Sequence, residues 1–470
     1  MKVWQLSMDA LTTMCGLPAA ATTNDTPARP PVSSRSLLIH SQLACLLFIM
    51  AEPKPGALII EGKTKAVHKL EGDTRHVLVL NKDRITAGDG AKAHDLQGKA
   101  EISNATNAKV FTFLNEAGIK TSWVRMSGKQ NYVARRCHMI PLEWVTRRVA
   151  TGSFLRRHAG VTEGYTFTPP KLETFFKDDA NHDPQWSEEQ VLENKLKVGE
   201  RVIGRLEYDI MARTTVAVFE VLERAWAALD CALIDMKIEF GVDAETQEIL
   251  VSDTIDSDSW RLWPAGDKRL MKDKQVYRNM GTVTEEGLSQ VKRNFQWVAD
   301  KLDAFMPESR GLVVVLMGSA SDATHAEAIR THCTKLGVNC HLRVTSAHKG
   351  TEETLAIIAQ YEASARPVVF VCVAGRSNGL GPVTCANTCA PVINCPPLKP
   401  DSLSRDVWSS LSLPSGMGCG TVLYPEAAAQ TAATMLGLTD HVIWAKLRAK
   451  QLSLWVGLKL ADRDMAAGNH

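Results

Sequence analysis

Two short segments of this chain combine glycine, hydroxyl and lysine in the way a phosphate site requires. Glu-Gly-Lys-Thr-Lys (61–65) places Gly62, Lys63 and Lys65 in one tight turn. Backbone N–H groups and two ammonium groups there suit a triphosphate. Met-Gly-Ser-Ala-Ser-Asp (317–322) follows the apolar run 312–316 and sets Ser319, Ser321 and Asp322 at the start of a helical stretch. Hydroxyls and helix-terminal N–H groups suit a phosphate, and the carboxylate of Asp322 suits ribose hydroxyls.

Each segment has distant companions. Asp-Met-Lys-Ile-Glu-Phe-Gly (235–241) and Asp-Ser-Trp-Arg-Leu-Trp (258–263) answer the first. Glu239 and Asp253 fall on facing strands of an expected hairpin, where two carboxylates can hold a hard divalent cation such as Mg²⁺. Lys237 precedes Glu239 by two residues and shares its face of the strand, so it can neutralise a carboxylate or a transferring phosphoryl group. Arg147 with Ser153, and Arg261, add donors suited to a phosphate ester and to carboxylates. Lys237, Glu239 and Asp253 would equally form a ladder of cross-strand salt bridges; the nearby Gly62 turn and 147–153 segment favour ligand binding. The second segment is answered by Ser-Ala-His-Lys (346–349) and Ala-Gly-Arg-Ser-Asn-Gly-Leu-Gly-Pro (374–382). An imidazole changes charge nearest neutral pH. His348, just after a strand and between Ser346 and Lys349, is placed to move a proton rather than to cap a turn.

Periodicity supplies the elements that must carry these groups. Runs 57–60 and 75–80 read as strands around the 61–65 turn, and 83–91 as a loop. Residues 98–117 have helical spacing, 123–124, 132–134 and 140–149 alternate as strands, and 187–194 and 209–228 are helical. Runs 233–240 and 248–254 make the hairpin, and an amphipathic helix over 284–305 closes this part. Residues 307–311 form a short polar linker. Beyond it, strands at 312–317, 339–344, 367–373 and 391–394 alternate with helices at 323–336, 352–365 and 426–436. That order predicts a parallel sheet covered on both faces, with active loops at the carboxyl ends of its strands. All three motifs of this half sit just after such strands. The fold class is therefore α/β: an α+β domain at 50–306, then a three-layer αβα domain at 312–470.

Composition narrows the partners. At 470 residues, 45% hydrophobic and 23% charged, the chain has the make-up of a soluble protein with two cores. Residues 1–308 hold 40 basic and 41 acidic side chains, and the remainder 14 and 11. Neither part has the basic excess that nucleic acid or an anionic membrane demands. The 11 cysteines show no Cys-x-x-Cys pair and no metal-binding histidine spacing, which points to free thiols in a reducing cytoplasm. The first 49 residues, with a breaker-rich run at 23–31 and an apolar run at 37–50 shorter than the about 20 residues a bilayer needs, are expected to be an extension outside the working protein.

With these motifs in place, residues 58–305 resemble the SAICAR synthetase family, an ATP-dependent ligase of purine biosynthesis. The shared segments are 61–65, Thr-Ala-Gly-Asp-Gly-Ala-Lys (86–92), Arg-Arg-Val-Ala-Thr-Gly-Ser (147–153), Asp-Asp-Ala-Asn-His-Asp-Pro (178–184), 235–241 and 259–263. Residues 311–460 resemble AIR carboxylases that use CO₂ directly, and the order of the two is that of the fused animal enzymes. The resemblance implies that the first domain is ATP-binding and the second flavodoxin-like, with ATP phosphates at Gly62, Lys63 and Lys65, and magnesium at Glu239 and Asp253. It implies the phosphorylated imidazole carboxylate, CAIR, at Arg147, Ser153 and Arg261, with Lys237 near its carboxylate and L-aspartate as the attacking amine. In the second half it implies aminoimidazole ribonucleotide, AIR, at Ser319, Ser321, Asp322 and Ser346. His348 becomes the proton shuttle and Lys349 a carboxylate or CO₂ partner, with backbone amides of Ser377, Asn378 and Gly379 lining the CO₂ pocket. A homo-octamer built on the carboxylase half is implied too, with the apolar stretch 442–460 packing either on a neighbour or on its own domain.

Some positions depart from the family pattern. Ile60 stands where an aromatic residue is common and should still pack beside adenine. Residues 385–390 differ, with Ala386 in place of a glycine, so that its methyl would crowd the backbone, and Ser402-Leu403 replaces Trp-Gly. Three other readings compete: a phosphotransferase of another small substrate, a silent flavodoxin-like binding module, and a scaffold. His348 and Lys349 weigh against silence, and no coiled-coil or low-complexity segment supports a scaffold alone.

Overall fold

The computed structural model describes residues 53–87, 90–401 and 403–468; the expected extension 1–49, Gly88, Asp89 and Ser402 lie outside them. The first half is built on two antiparallel sheets. The smaller has the order Pro55–Glu61, Lys65–Leu70, Asp73–Asn81, Asn131–Arg135, Trp123–Ser127. The larger runs Gln185–Trp186, Thr166–Phe176, Cys137–Val149, Cys231–Asp243, Ile249–Ser252, with Trp260–Pro264 paired to the start of the central strand Cys231–Asp243.

Alternation decides what each face of the larger sheet does. Leu142 and Trp144, Met236, Ile238 and Phe240, and Leu262 enter one buried cluster. Their neighbours of opposite parity, Glu143 and Arg147, Asp235, Lys237 and Glu239, and Arg261, face a cleft. The core side is covered by the helix Arg205–Ala227, whose Met211, Thr215, Val218, Leu222 and Trp226 recur at helical spacing and are buried. Its first turn is tied by Gly204 N–H donating to Glu207 Oε2 at 3.2 Å.

Several expectations need correction. The 61–65 turn runs straight into the strand Lys65–Leu70, where lysine and histidine among the apolar residues mask the period. Residues 83–91 are not simply a loop: Arg84–Ala87 and Lys92–Asp95 pair as a hairpin. The strand Thr166–Phe176 carries two prolines, which argue against a strand from sequence alone. The segment 258–263 proves to be strand-borne, on Trp260–Pro264.

The second half is a parallel sheet of order Asn339–Val344, Leu312–Met317, Val368–Val373, Val392–Asn394, Gly420–Thr421. Val313, Val315 and Met317 join one buried cluster, and Leu312, Val314 and Leu316 the other. A continuous apolar strand thus feeds cores on both faces, as expected. The last helix, His441–Ala466, belongs to both halves. Ile443 and Leu447 enter the carboxyl-half cluster, while Ala445, Ala449 and Leu452 enter the amino-half cluster. Arg448 Nε donates to Glu220 Oε2 at 2.7 Å, and Arg213 stacks over Trp455 at 4.1 Å. Of the two expectations for 442–460, its beginning wraps its own chain. Nine cysteines are described and all are free.

Candidate active sites

A cleft of about 1600 Å³ opens between the two sheets of the first half. Gly62, Lys63, Lys65, Arg147, Ser153, Lys237, Glu239, Asp253 and Arg261 all line it, as does Ile60, which is 63% exposed. Nine site residues read from the sequence, scattered over two hundred positions, therefore meet in one place.

The turn at its mouth closes on itself: Gly62 N–H donates to the Lys65 carbonyl at 2.8 Å, and Lys82 Nζ reaches Glu61 Oε1 at 2.6 Å. Lys65 crosses the cleft to bond Asp253 Oδ1 and, at 3.1 Å, Thr254 Oγ1. Burial disfavours both charges. The pairing overrides it, holding the Lys65 ammonium above its usual range and the Asp253 carboxyl down at about 2. Asp253 has φ +63° just past the strand Ile249–Ser252, which turns its carboxylate inward beside Glu239, itself in register with Ser252. Glu239 accepts from Lys177 Nζ at 2.8 Å and from Lys237 Nζ at 3.2 Å. Lys237 also reaches Glu143 Oε1 at 2.5 Å. Burial pushes the Lys237 ammonium down, but Glu239 and Glu143 more than reverse this and raise it.

The salt-bridge ladder is present: Lys177 and Lys237 pair with Glu239, and Lys65 with Asp253. Two carboxylates that face a cleft among cations, Glu239 buried and Asp253 partly exposed, are hard oxygen donors of the kind Mg²⁺ takes, with phosphate oxygens to complete its shell. The residues fit that ion. Among the described residues no cluster of three or more His, Cys, Asp or Glu has metal-ligand geometry.

On the same sheet face, Arg147 gives Nε to Glu173 Oε2 at 2.5 Å and Nη1 to Asp235 Oδ2 at 2.7 Å. Arg261 Nη1 meets the same Asp235 oxygen at 2.5 Å. Further in, Lys99 Nζ lies 3.1 Å from Asp258 Oδ2 and Lys274 Nζ 3.5 Å from it. Burial raises the Asp258 carboxyl, yet these lysines hold it at about 2. Sequence reasoning gave no role to Glu143, Glu173, Lys177, Asp235 or Lys99. Asp235 was legible by its spacing, two residues before Lys237 and four before Glu239 on one face; Lys99 and Lys177 carried no such signal.

In the second half the three motifs converge at the carboxyl edge of the sheet. Gly318 N–H donates to the Val373 carbonyl and Thr345 N–H to that of Met317, each at 2.9 Å. Ser319 Oγ accepts from Ser321 N–H at 3.2 Å and from Ser321 Oγ at 2.9 Å, which caps the turn that leads to Asp322. Burial raises the Asp322 carboxyl, with His325 opposing. His348 is exposed and lies against Gly379: a Cβ at 379 would fall 2.7 Å from His348 Nε2. Two residues 31 positions apart, from different motifs, thus share one spot. Ser346 and Lys349 flank His348 in sequence and Ser377 precedes Gly379 by two residues, Lys349 and Ser377 being exposed.

The amides of 378 and 379 do not serve as expected in this structure. Asn378 N–H is bonded to Ser409 Oγ and Gly379 N–H to the Ser377 carbonyl, each at 3.1 Å. Asn378 is buried, its side chain spanning Asn394 Oδ1, Ser410 Oγ and Gly381 N–H at 3.0 Å each. It builds the loop. Ala386, expected to crowd the backbone, is exposed at the end of the helix Leu380–Ala386.

Comparison with known proteins agrees with both halves. Residues 58–294 match the SAICAR synthetase family and residues 312–454 the AIR carboxylase family. The chain is 62% identical over 412 residues to the bifunctional phosphoribosylaminoimidazole carboxylase/phosphoribosylaminoimidazole succinocarboxamide synthetase of Drosophila melanogaster, covering 88% of this chain and 96% of that one. It is 55% identical over 415 residues to the human protein of the same name, covering 88% and 98%. A crystal structure of the phosphoribosylaminoimidazole-succinocarboxamide synthase from Ehrlichia chaffeensis, 26% identical, covers 53% of this chain and 100% of its own with a TM-score of 0.47. With two family matches in tandem and relatives aligned almost end to end, the chain belongs to the family of bifunctional phosphoribosylaminoimidazole carboxylase/phosphoribosylaminoimidazole succinocarboxamide synthetases.

Proposed function

We propose that the chain performs two consecutive steps of purine construction at separate sites. The second half carboxylates AIR with CO₂ to CAIR, and the first half condenses CAIR with L-aspartate at the expense of ATP. The observation that carries this is the meeting of nine sequence-derived residues in one cleft, beside a second, independent cluster around His348 and Gly379.

In the ligase cleft, Gly62, Lys63 and Lys65 bind the ATP phosphates. Glu239 and Asp253 hold Mg²⁺, which when bound supplies charge to the transferring phosphoryl group. Lysines now paired with these carboxylates, Lys65 above all, turn to the phosphates. Arg147, Ser153 and Arg261 anchor the CAIR phosphate, and Lys237 orients the CAIR carboxylate. That carboxylate takes the γ-phosphoryl group and releases ADP. The aspartate amine then attacks the acyl carbon, phosphate leaves, and the amine loses a proton. In the carboxylase, Ser319, Ser321 and Ser346 hold the AIR phosphate and Asp322 the ribose. The electron-rich ring carbon attacks CO₂, and His348 takes the displaced ring proton, with Lys349 beside the new carboxylate and Ser377 at the CO₂ pocket. The working protein is proposed to be a cytoplasmic homo-octamer; no described helix is long and apolar enough to cross a membrane.

A coupled assay with AIR, bicarbonate, ATP and aspartate tests the reading. SAICAR should accumulate, and ATP should be consumed only when CAIR and aspartate are both present. ATP consumption with either one alone would favour another phosphotransferase.

A further inference from the structure

Two arginines of the ligase cleft, Arg147 and Arg261, are held by a carboxylate to which the binding roles above give no part. Asp235 lies on the central strand, in register with Arg147 on one neighbouring strand and with Arg261 on the other. Its single oxygen Oδ2 accepts from both guanidinium groups, at 2.7 and 2.5 Å. A second carboxylate, Glu173, takes Arg147 Nε through Oε2 at 2.5 Å and Arg157 Nη2 through Oε1 at 2.7 Å. Asp235 and Glu173 are 4% and 3% exposed. Gly152 completes the mould: with φ +60°, it would put a Cβ 2.5 Å from Arg261 Nη2. Without these partners, like charges in one row would repel, and two long side chains would lose their shared geometry.

We propose that Asp235 is the positioning residue of this cleft, with Glu173 in support. It sets the separation of the Arg147 and Arg261 guanidinium groups so that their remaining N–H donors meet one phosphate monoester. The proposal rests on the reading of this cleft as the CAIR site.

Positioning and simple charge balance predict opposite signs. Removing a negative charge beside a phosphate strengthens the local positive field and should tighten binding. Removing the group that orders the donors should weaken it. Asp235→Asn in the full-length chain should raise KM for CAIR by about 10–100-fold while kcat and the KM values for ATP and aspartate stay within about threefold. The wild-type preference for CAIR over its 5′-dephosphorylated riboside should shrink by the same factor. Glu173→Gln should act in the same direction but less, because Arg261 keeps Asp235. Carboxylase activity in the same preparations monitors folding, and if the Asp235 variant fails to fold, Glu173→Gln carries the test alone. An unchanged or lowered KM for CAIR, or an equal fall in every parameter, overturns the proposal. If the wild-type enzyme makes SAICAR without distinguishing CAIR from the riboside, the phosphate assignment itself is wrong, whatever the variants do.

Discussion

Glu239 is the residue on which the ligase cleft turns. It is buried, bonded to Lys177 and Lys237, and level with Ser252 across the hairpin, one residue before Asp253. Glu239→Gln preserves shape and removes the charge that magnesium requires. SAICAR formation should fall by at least several hundred-fold, about 3 kcal/mol or more of lost transition-state stabilisation. AIR carboxylation should persist, since His348 and its loops belong to the other sheet. Separate assays of the two steps check this, and near-normal ligase activity would remove Glu239 from the metal site. In the carboxylase, His348→Asn should leave AIR binding intact and lower the rate by about 10²–10⁴. The ligase should still work on supplied CAIR in that variant. A normal carboxylation rate would hand the shuttle to Lys349 or to water.

At the scale of elements, Asp273 links the strand Trp260–Pro264 to the helix Gln275–Asn279. Its carboxylate accepts from Leu262 N–H at 2.9 Å and from Gln275 N–H at 2.8 Å, and it is 1% exposed. Burial pushes this carboxyl up to about 6, more than those N–H bonds and Arg261 pull it back. The folded protein therefore keeps a proton that the unfolded chain releases above about pH 4. Stability from this group is present at low pH and is lost as the pH rises through about 4 to about 6. Between about pH 4.5 and pH 7, wild type should lose about 2 kcal/mol relative to Asp273→Asn. Urea titrations of both proteins at the two pH values measure the difference, and a gap that does not change with pH would show that the carboxyl titrates normally.

For the whole molecule, the helix His441–Ala466 makes the two halves interdependent. Leu452 is buried in the amino-half core although it lies far beyond residues 58–294, which match the ligase family. Leu452→Ala should destabilise the ligase half by about 2–4 kcal/mol through the cavity it leaves. Ligase activity should then be lost at a lower temperature, as thermal inactivation of both activities would reveal; an unaltered ligase would mean that this contact is dispensable. The end of the same helix leaves Leu454, Leu458 and Met465 60%, 72% and 62% exposed. Exposed apolar side chains of that size accord with an assembled state. Light scattering on protein starting at Met50 should give a mass several times that of one chain, and a monomer at micromolar concentration would contradict the octamer.

Local composition and period were enough to determine two half-chains, a parallel sheet in the second, and the residue types of both sites. A strand with alternating polarity announces which residues share a face, which is why Lys237 and Glu239 were legible from spacing alone. The turns at Gly62 and Gly318 were legible as candidate phosphate sites because glycine and hydroxyl residues followed apolar strands. Only the tertiary structure decided who pairs with whom. Lys65 with Asp253, Lys177 with Glu239 and Asp235 between two arginines join residues 188, 62, 88 and 26 positions apart. No local signal encodes such pairings, because they depend on sheet order and register. The strand with two prolines, the folded-back amides of Asn378 and Gly379, and the sharing of one helix between two cores escaped for the same reason. Each is settled by what lies across a sheet or a domain boundary, and long-range packing overrides local propensity there.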